Sequence, residues 1–235
     1  MLVNGFPAAA FGTNCYVVAT APGEECLVVD PGIGVLDELA EVLRTHRLRP
    51  AAVLLTHGHV DHVYSVTPVC GAHGVPALVH ADDAYRLKDP LALLDPALVD
   101  MLAAQFGQAA TWSEPDDVRP VADGETVSLA GLYVRVTHAP GHTEGSVLFS
   151  LDGVPDDAQA GAAGASSTVL SGDVLFAGSI GRTDLPGGDH AAMLESLRDK
   201  VLTLADDTLV LPGHGPATTI AAERVSNPFL LEVAR

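Results

Sequence analysis

Residues 56–62 read Thr-His-Gly-His-Val-Asp-His, and the three imidazoles and one carboxylate in this stretch can all bind a metal ion. The stretch follows the apolar run 51–55, Ala-Ala-Val-Leu-Leu, which is short enough to predict a buried β-strand. His57 and His59 are two residues apart, so an extended backbone points both side chains the same way. Asp61 and His62 follow where the chain turns. Because open α/β sheets place their chemistry at the carboxyl ends of strands, the stretch predicts a metal site.

Three later segments repeat this arrangement of an apolar strand, a glycine and a candidate ligand. The pairs of predicted strand and ligand are 132–136 with His142, 168–170 with Asp173, and 208–211 with His214. A glycine directly before each ligand lets the backbone bend sharply there. Imidazole and carboxylate groups together suit Zn, Fe and Mn, so the residue types do not select one metal.

These segments, in this order, resemble the ligand motifs of the metallo-β-lactamase superfamily over nearly the whole chain. The resemblance implies an α/β fold, a four-layer αβ/βα sandwich with the metals at the sheet edge. It also implies two divalent metal ions, Zn or alternatively Fe or Mn. The implied ligands are His57, His59 and His142 for one ion, Asp61, His62 and His214 for the other, and Asp173 as the bridge.

The chemistry expected of such a site needs no serine or cysteine nucleophile. Binding to a metal ion lowers the pKa of water from 15.7 to roughly 7, so a metal-bound hydroxide can attack at neutral pH. Two ions about 3.5–4 Å apart can share that hydroxide and polarise a substrate oxygen. Asp61 is the residue expected to orient the hydroxide, in addition to binding an ion.

The glycine-rich stretch 178–189 resembles the small glyoxalase II-like hydrolases that lack a C-terminal helical domain. Its Arg182 can bind a substrate carboxylate through a planar fork of N–H groups, or it can pair with Asp184 or Asp189. Thr183 and Asp184 stand where true glyoxalase II has aromatic residues that hold glutathione. Only residues 215–235 follow His214, so we do not expect the helical glutathione-binding domain. The resemblance therefore implies a hydrolase of small S-lactoyl-type thioesters that binds glutathione poorly.

Two other activities compete with this interpretation. Mononuclear iron persulfide dioxygenases have a similar Gly-Arg-Thr-Asp loop, and such an enzyme would use only His57, His142 and Asp173. The second ligand group and the Leu-Pro-Gly-Gly sequence at 185–188 favour the hydrolase. β-Lactam hydrolysis is disfavoured because true β-lactamases have Cys or Ser where Asp173 stands.

The ligand segments extend from residue 57 to residue 214 without an interdomain linker, so we expect one domain over residues 1–235. Residues 82–111 are expected to be mostly helical, broken at Pro90 and Pro96, and to cover a cleft. Residues 152–167 contain few bulky side chains, which predicts a flexible loop insertion in a hairpin. Asp30, before Pro-Gly, is expected either to form a simple turn or to support the 57–62 loop.

Composition narrows the choice of partner and compartment. The net charge of −18 disfavours a nucleic-acid partner, which clustered Lys and Arg would bind. No apolar stretch approaches the ~20 residues that span a bilayer, so no membrane partner is expected. The start of the chain lacks the features of a signal peptide. The three cysteines show no C-x-x-C spacing, so we expect them to be reduced thiols packed in the interior. We therefore expect a cytoplasmic enzyme with a small-molecule substrate, of undetermined oligomeric state.

Overall fold

The computed structural model describes residues 1–92, 94–106, 112–156 and 164–235. Within these residues, twelve β-strands form two six-stranded sheets. The strands are β1 (Leu2–Pro7), β2 (Asn14–Ala19), β3 (Glu25–Val29), β4 (Arg49–Leu54), β5 (Ala77–His80), β6 (Val118–Val121), β7 (Thr126–Leu129), β8 (Leu132–His138), β9 (Val147–Asp152), β10 (Ser167–Gly172), β11 (Thr208–Pro212) and β12 (Thr218–Thr219).

Helices cover the outer face of each sheet, so the predicted four-layer αβ/βα sandwich is confirmed. The helices are α1 (Leu36–His46), α2 (Val60–Val63), α3 (Val66–His73), a 3₁₀ helix (Ala81–Leu87), α4 (Pro96–Phe106), α5 (His190–Ser196), a π-helical turn (Leu197–Val201), α6 (Ile220–Ser226) and α7 (Pro228–Val233). No described helix is long and apolar enough to cross a membrane.

Strand direction places the carboxyl ends of the strands that precede the predicted ligands at a common edge. In the first sheet, with order β1 to β6, strands β3, β4, β5 and β6 run parallel. In the second, with order β12-β11-β10-β9-β8-β7, strands β10 and β11 are parallel. β8 points the same way, since β9 is antiparallel to both β8 and β10. The predicted ligands therefore follow strands that end on the same side of their sheet.

Alternate residues of the buried strands face different layers. Val28 of β3 packs towards α1 and α3, whereas its neighbour Leu27 packs into the space between the two sheets. Helix α1 turns Leu39, Val42 and Leu43 inward, the i, i+3, i+4 spacing of an amphipathic helix. Because both faces of these strands are covered, their sequences are almost continuously apolar, as parallel buried strands require.

Helix α4 lies over the ligand-bearing end of the sandwich. Its Leu102 is fully buried, and together with Ile33 it packs on Val60 and Tyr64, which lie at the 57–62 loop and just after it. This agrees with the predicted cover over a cleft. The 3₁₀ helix and α4 are separated near Pro90 and Pro96, as expected. Residues 93 and 107–111 of this segment lie outside the described part of the chain.

The predicted loop 152–167 connects β9 to β10. At its start, Asp156 is held to the N-terminus by a 2.9 Å ion pair with the Met1 ammonium and a 2.9 Å backbone hydrogen bond to the Met1 carbonyl. Residues 157–163 lie outside the described residues, so the flexibility of this loop stays a prediction.

Candidate metal centre

Three histidines from two strand ends form a first group of nitrogen atoms. His57 and His59 lie on the extended segment after β4, and His142 lies beyond β8. The Nε2 atom of His142 is 3.2 Å from His57 Nε2 and 2.8 Å from His59 Nδ1. The two sheets thus bring together imidazoles that are 85 residues apart in sequence, in a group that could hold one metal ion.

A second group lies beside the first. Helix α2 begins at Val60 and carries Asp61 and His62, and His214 follows β11. His214 Nε2 is 3.2 Å from Asp61 Oδ2, and His62 Nε2 is 3.5 Å from the same oxygen. These three side chains also lie close enough to share one ion.

Asp173, at the end of β10, lies between the two groups. Its Oδ2 atom is 3.5 Å from His142 Nε2 and 3.5 Å from His214 Nε2, and its Oδ1 atom is 3.3 Å from His62 Nε2. A single carboxylate thus faces ligand atoms of both groups. All seven residues expected at the site are brought together at one edge of the sandwich.

The polar atoms of this cluster fit a bound cation. Among the described residues, His62 Nε2 and Asp173 Oδ1 are buried without a hydrogen-bond partner. Buried polar atoms that lack a partner cost about 1–3 kcal/mol each, so a native protein rarely leaves two side by side. A divalent cation between a ring nitrogen and a carboxylate oxygen would satisfy both.

The imidazoles of the first group favour their neutral, metal-binding form. Burial lowers the pKa of His57 well below its usual value, and the neighbouring imidazoles lower it further. Burial, followed by the influence of His142, lowers the pKa of His59 to about 3. Burial also lowers the pKa of His142, although Asp173 opposes this effect. Neutral imidazole has the free lone pair that a metal requires.

In the second group, neighbouring carboxylates raise the pKa of the histidines, in contrast to the first group. Burial would lower the pKa of His62, but the carboxylates of Asp173 and Asp61 raise it well above its usual value. Burial would also lower the pKa of His214, and the same carboxylates raise it. Two buried carboxylates thus require positive charge here. A metal ion can supply it in place of a proton.

Further side chains orient the ligands. Asp30 accepts hydrogen bonds from the Thr56 N–H (2.8 Å) and hydroxyl (2.6 Å), and its carboxylate is 2.9 Å from His62 Nδ1. Its predicted role in supporting the 57–62 loop is therefore confirmed. Asp30 has a φ of 50°, the left-handed region, which turns the chain sharply after β3. The bond to Nδ1 directs His62 Nε2 towards the carboxylates.

Two more contacts of this kind fix ligands of each group. His142 Nδ1 donates to the backbone carbonyl of Arg182 at 2.7 Å, which leaves His142 Nε2 free to act as a ligand. The Thr13 hydroxyl donates to Asp61 Oδ2 at 2.8 Å. The sequence does not predict this role of Thr13. The contact joins residues 48 positions apart, and a lone threonine before a strand carries no metal-site signal.

The glycine before His214 is required by close packing. Gly213 does not have a positive φ, so the expected sharp bend is not its role. A Cβ atom there would collide with Asp173 Oδ1 and lie 2.7 Å from His62 Cε1. Only glycine lets the backbone pass this close to the cluster.

With this geometry established, comparison with known proteins identifies the family. The family model of the metallo-β-lactamase superfamily matches residues 8–154, more than half of the chain. The chain belongs to the metallo-β-lactamase superfamily. The hydroxyacylglutathione hydrolase GloC of Haemophilus influenzae is 32% identical over 98% of this chain and 98% of its own length.

Solved structures of the superfamily align over almost the full chain. The crystal structure of the BLEG-1 B3 metallo-β-lactamase has a TM-score of 0.76 and 34% identity, covering 97% of this chain and 99% of that one. The structure of TTHA1623 in a di-iron-bound form has a TM-score of 0.73 and 36% identity, covering 97% of this chain and 100% of that one.

In this superfamily member, a buried carboxylate that the sequence analysis missed links the ligand loops. Asp83 is fully buried and accepts hydrogen bonds from Gly58 N–H (2.7 Å), Thr143 hydroxyl (2.7 Å) and Gly145 N–H (2.9 Å). Gly58 lies between the histidines of the first group, and Thr143 and Gly145 follow His142. Asp83 therefore ties both halves of that group to one carboxylate. The signal that could have found it is its place after β5, the next parallel strand of the same sheet.

Arg86 extends this network to the glycine-rich loop. Its side chain is buried, its Nε lies 3.3 Å from Asp83 Oδ1, and its Nη2 donates to Glu144 (2.5 Å) and to the Pro186 carbonyl (2.9 Å). A Cβ atom at Gly58 would lie 2.7 Å from Arg86 Cδ, so the residue between the two histidines must be glycine. Glu144 thus faces Arg86 and not the ligand cluster.

The side chain of Arg182 is bound within its own loop. Its guanidinium donates two hydrogen bonds to Asp184, of 2.7 and 2.8 Å, at an exposed position. Asp189 instead caps helix α5 by accepting from Ala191 and Ala192. Of the alternatives raised by the sequence, the Arg182–Asp184 pair is present, and binding of a substrate carboxylate by Arg182 stays a prediction.

His138 lies outside the cluster and stacks on His80 with ring centroids 4.0 Å apart. Its Nε2 atom lies 2.8 Å from the Glu144 carbonyl, and His80 Nδ1 accepts from the Asp82 N–H. These nitrogens therefore have protein partners, and the pair is best described as a packing contact.

A cavity of about 640 Å³ opens over the ligand cluster. His59, Asp61, His142, Asp173 and His214 form its floor, and its walls come from the 3₁₀ helix, the segment around α4 and the glycine-rich loop. Cavities of this size accommodate drug-sized molecules. The cluster is therefore accessible to a small-molecule substrate.

Proposed function

We propose that this chain is a two-metal hydrolase of small thioesters of the S-lactoyl-thiol type, similar to glyoxalase II. The observation that carries the proposal is the position of Asp173 between two groups of three ligands. Its Oδ1 atom lies 3.3 Å from His62 Nε2, and its Oδ2 atom lies 3.5 Å from both His142 Nε2 and His214 Nε2. A mononuclear site does not need this arrangement, because three ligands with open positions suffice.

The residues that would hold the two ions are the seven of the cluster, with His57, His59 and His142 on one and Asp61, His62 and His214 on the other. Bound divalent ions would supply a nucleophile derived from water and polarise the thioester carbonyl. TTHA1623, at 36% identity, is a neighbour that holds two irons, which supports a site for two ions. The residue types admit Zn, Fe or Mn.

Asp61 has a second role in this proposal. Asp61 lines the cavity, and its Oδ2 atom is fixed by the Thr13 hydroxyl and by His214. The carboxylate stays ionised, since burial would raise its pKa but the cationic influence of His62 and the hydrogen bond with His214 lower it below the usual value. An ionised, oriented carboxylate can accept a hydrogen bond from the attacking water and direct it towards the substrate carbonyl.

The relative GloC and the loop beside the cluster support this choice of substrate. GloC is by name a hydroxyacylglutathione hydrolase, which supports a hydroxyacyl thioester. The loop beside the cluster has Thr183 and Asp184, which cannot stack on a ligand, and Arg182 is engaged by Asp184. We therefore expect the hydroxyacyl thioester chemistry to be retained and the glutathione part to be bound poorly.

β-Lactam hydrolysis is the second candidate, and the 34% identity to BLEG-1 favours it. The test uses metal-loaded protein with three substrates: an S-lactoyl thioester, a persulfide and a chromogenic β-lactam. We expect thiol release from the thioester without oxygen uptake, and little opening of the β-lactam. Persulfide-dependent oxygen uptake with one iron per chain, or β-lactam turnover that exceeds thioester turnover, would overturn the proposal.

A further inference from the structure

The cavity over the ligand cluster has a largely apolar wall. Its apolar side chains include Phe11, Leu94, Leu98, Phe176 and Leu185. A lactoyl group is far smaller than a cavity of about 640 Å³. The remaining space must therefore receive the thiol part of the substrate, and an apolar wall favours an apolar thiol part.

Three cationic side chains also line this cavity, and they differ in their partners. Arg86 is bound to Asp83 and Glu144, and Arg182 is bound to Asp184. Lys88 is exposed, and among the described residues no acidic side chain forms an ion pair with it. Its ammonium therefore has no competing carboxylate partner in the described part of the chain, and its place on the wall of the active-site cavity makes it available to an anionic ligand.

The local structure fixes the backbone at Lys88 on this wall. It ends the 3₁₀ helix, and its backbone N–H is bonded to the Tyr85 carbonyl. The preceding residue, Leu87, is fully buried and its carbonyl accepts a 2.8 Å hydrogen bond from the indole of Trp112. Asp89 lines the same cavity beside Lys88, and its Oδ1 atom accepts a 3.2 Å hydrogen bond from the Leu91 N–H. The backbone that carries the ammonium is therefore anchored.

We propose that Lys88 binds an anionic group on the thiol part of the substrate, so that the preferred substrate is a hydroxyacyl thioester of an apolar thiol bearing a carboxylate or a phosphate. This inference rests on the proposed function. The thioester carbonyl lies at the ligand cluster, the apolar arm lies along the leucine and phenylalanine wall, and the anion meets Lys88. Glutathione fits this description poorly, because its peptide arm is polar and carries an ammonium as well as two carboxylates.

The test compares S-lactoyl thioesters of mercaptohexanoate, of its methyl ester and of mercaptohexyl phosphate. In wild-type protein we expect kcat/KM for the better anionic thioester to exceed that for the neutral ester about fivefold, the factor that an exposed ion pair provides. The ratio of kcat/KM for the carboxylate thioester to that for the phosphate thioester identifies which anion is preferred. Lys88→Gln keeps much of the side-chain stem and should abolish the preference, whereas Lys88→Arg should retain it.

Lys200 provides a matched control. It is the only other lysine of the chain, and it is paired with Asp123 at 3.1 Å. Lys200→Gln should therefore leave the anion preference unchanged. A preference that survives Lys88→Gln, or that Lys200→Gln removes equally, would overturn the inference.

Binding can be measured separately from turnover. Trp112 is the only tryptophan and is bonded next to Lys88, so its fluorescence should respond to ligands there. Non-hydrolysable thioether analogues should bind about fivefold tighter with the anion than without it. If the analogues show this preference but no thioester is hydrolysed, the proposed function fails and the anion site stands. If thioesters are hydrolysed without any anion preference, the anion site fails and the proposed function stands.

Discussion

Asp83 and Gly58 are joined by a 2.7 Å hydrogen bond that ties the backbone between His57 and His59 to a fully buried carboxylate. The same carboxylate accepts hydrogen bonds from Thr143 and Gly145, one and three residues after His142. The three histidines of the first group therefore depend on a residue that touches none of them. Groups that orient metal ligands in this way affect metal affinity nearly as strongly as the ligands do.

We predict that Asp83→Asn lowers metal affinity by about 10- to 100-fold, because an amide nitrogen cannot accept the hydrogen bonds that the carboxylate accepts. Competition with a chelator measures the affinity. Asp82→Asn is the control, since Asp82 is adjacent but exposed. Equal metal affinity in both variants would show that Asp83 does not position the histidines.

The ligand cluster was predictable from sequence because each ligand has a local signal. The 57–62 segment follows an apolar strand, and His142, Asp173 and His214 each follow a strand and a glycine. Parallel strands bring their carboxyl ends to one edge, so local patterns imply a common site. Asp30 was recognisable for the same reason.

The supporting residues were not predictable to the same degree. Asp83 follows a strand too, but an Asp-Asp pair at the start of a helix usually caps that helix. Three of its partners, Gly58, Thr143 and Gly145, lie on two loops that are distant from it in sequence. The partner of Arg182 depends on side-chain geometry within one loop. The need for Gly213 depends on the approach of Asp173, which is set by the pairing of β10 with β11.

We predict that Gly213→Ala disrupts the second ligand group. The added methyl group would collide with Asp173 Oδ1 and crowd His62, so one of these side chains must move. Metal titration should then show weakened or lost binding of one equivalent. Gly71→Ala serves as control, because a Cβ there meets no atom within 4 Å and alanine in a helix is favourable by up to about 1 kcal/mol. Full metal loading of Gly213→Ala would contradict the packing argument.

We predict that the fully loaded protein binds two metal equivalents and that His62→Ala reduces this number to one. His62 belongs to the second group, and the three nitrogens of the first group come from His57, His59 and His142, so the first group should survive its loss. Metal analysis after gel filtration measures the number of metal ions bound per chain. A wild-type ratio of one, with unchanged metal content in His62→Ala, would reject the two-ion proposal.

Removal of the metals should destabilise the fold. A ligand present at about 1,000 times its dissociation constant contributes roughly 4 kcal/mol to stability. For a protein of this size, that free energy corresponds to a melting temperature about 10 °C lower after chelation. Calorimetry with and without chelator tests this, and adding metal back should restore the original value. An unchanged melting temperature would mean that the unsatisfied His62 and Asp173 atoms are not stabilised by a cation.

We predict, finally, that Asp173→Ala abolishes turnover more completely than Arg182→Ala. Asp173 faces His62, His142 and His214, so two cations held by these groups would lose the negative charge between them and repel each other. Arg182 contributes to the cluster mainly through its backbone carbonyl, which accepts from His142 and which alanine retains. Its exposed guanidinium is paired with Asp184, so Arg182→Ala should change KM more than kcat. Steady-state kinetics together with metal content separates the two effects. Asp173→Ala protein that kept both metals and a near-normal kcat would remove Asp173 from the site.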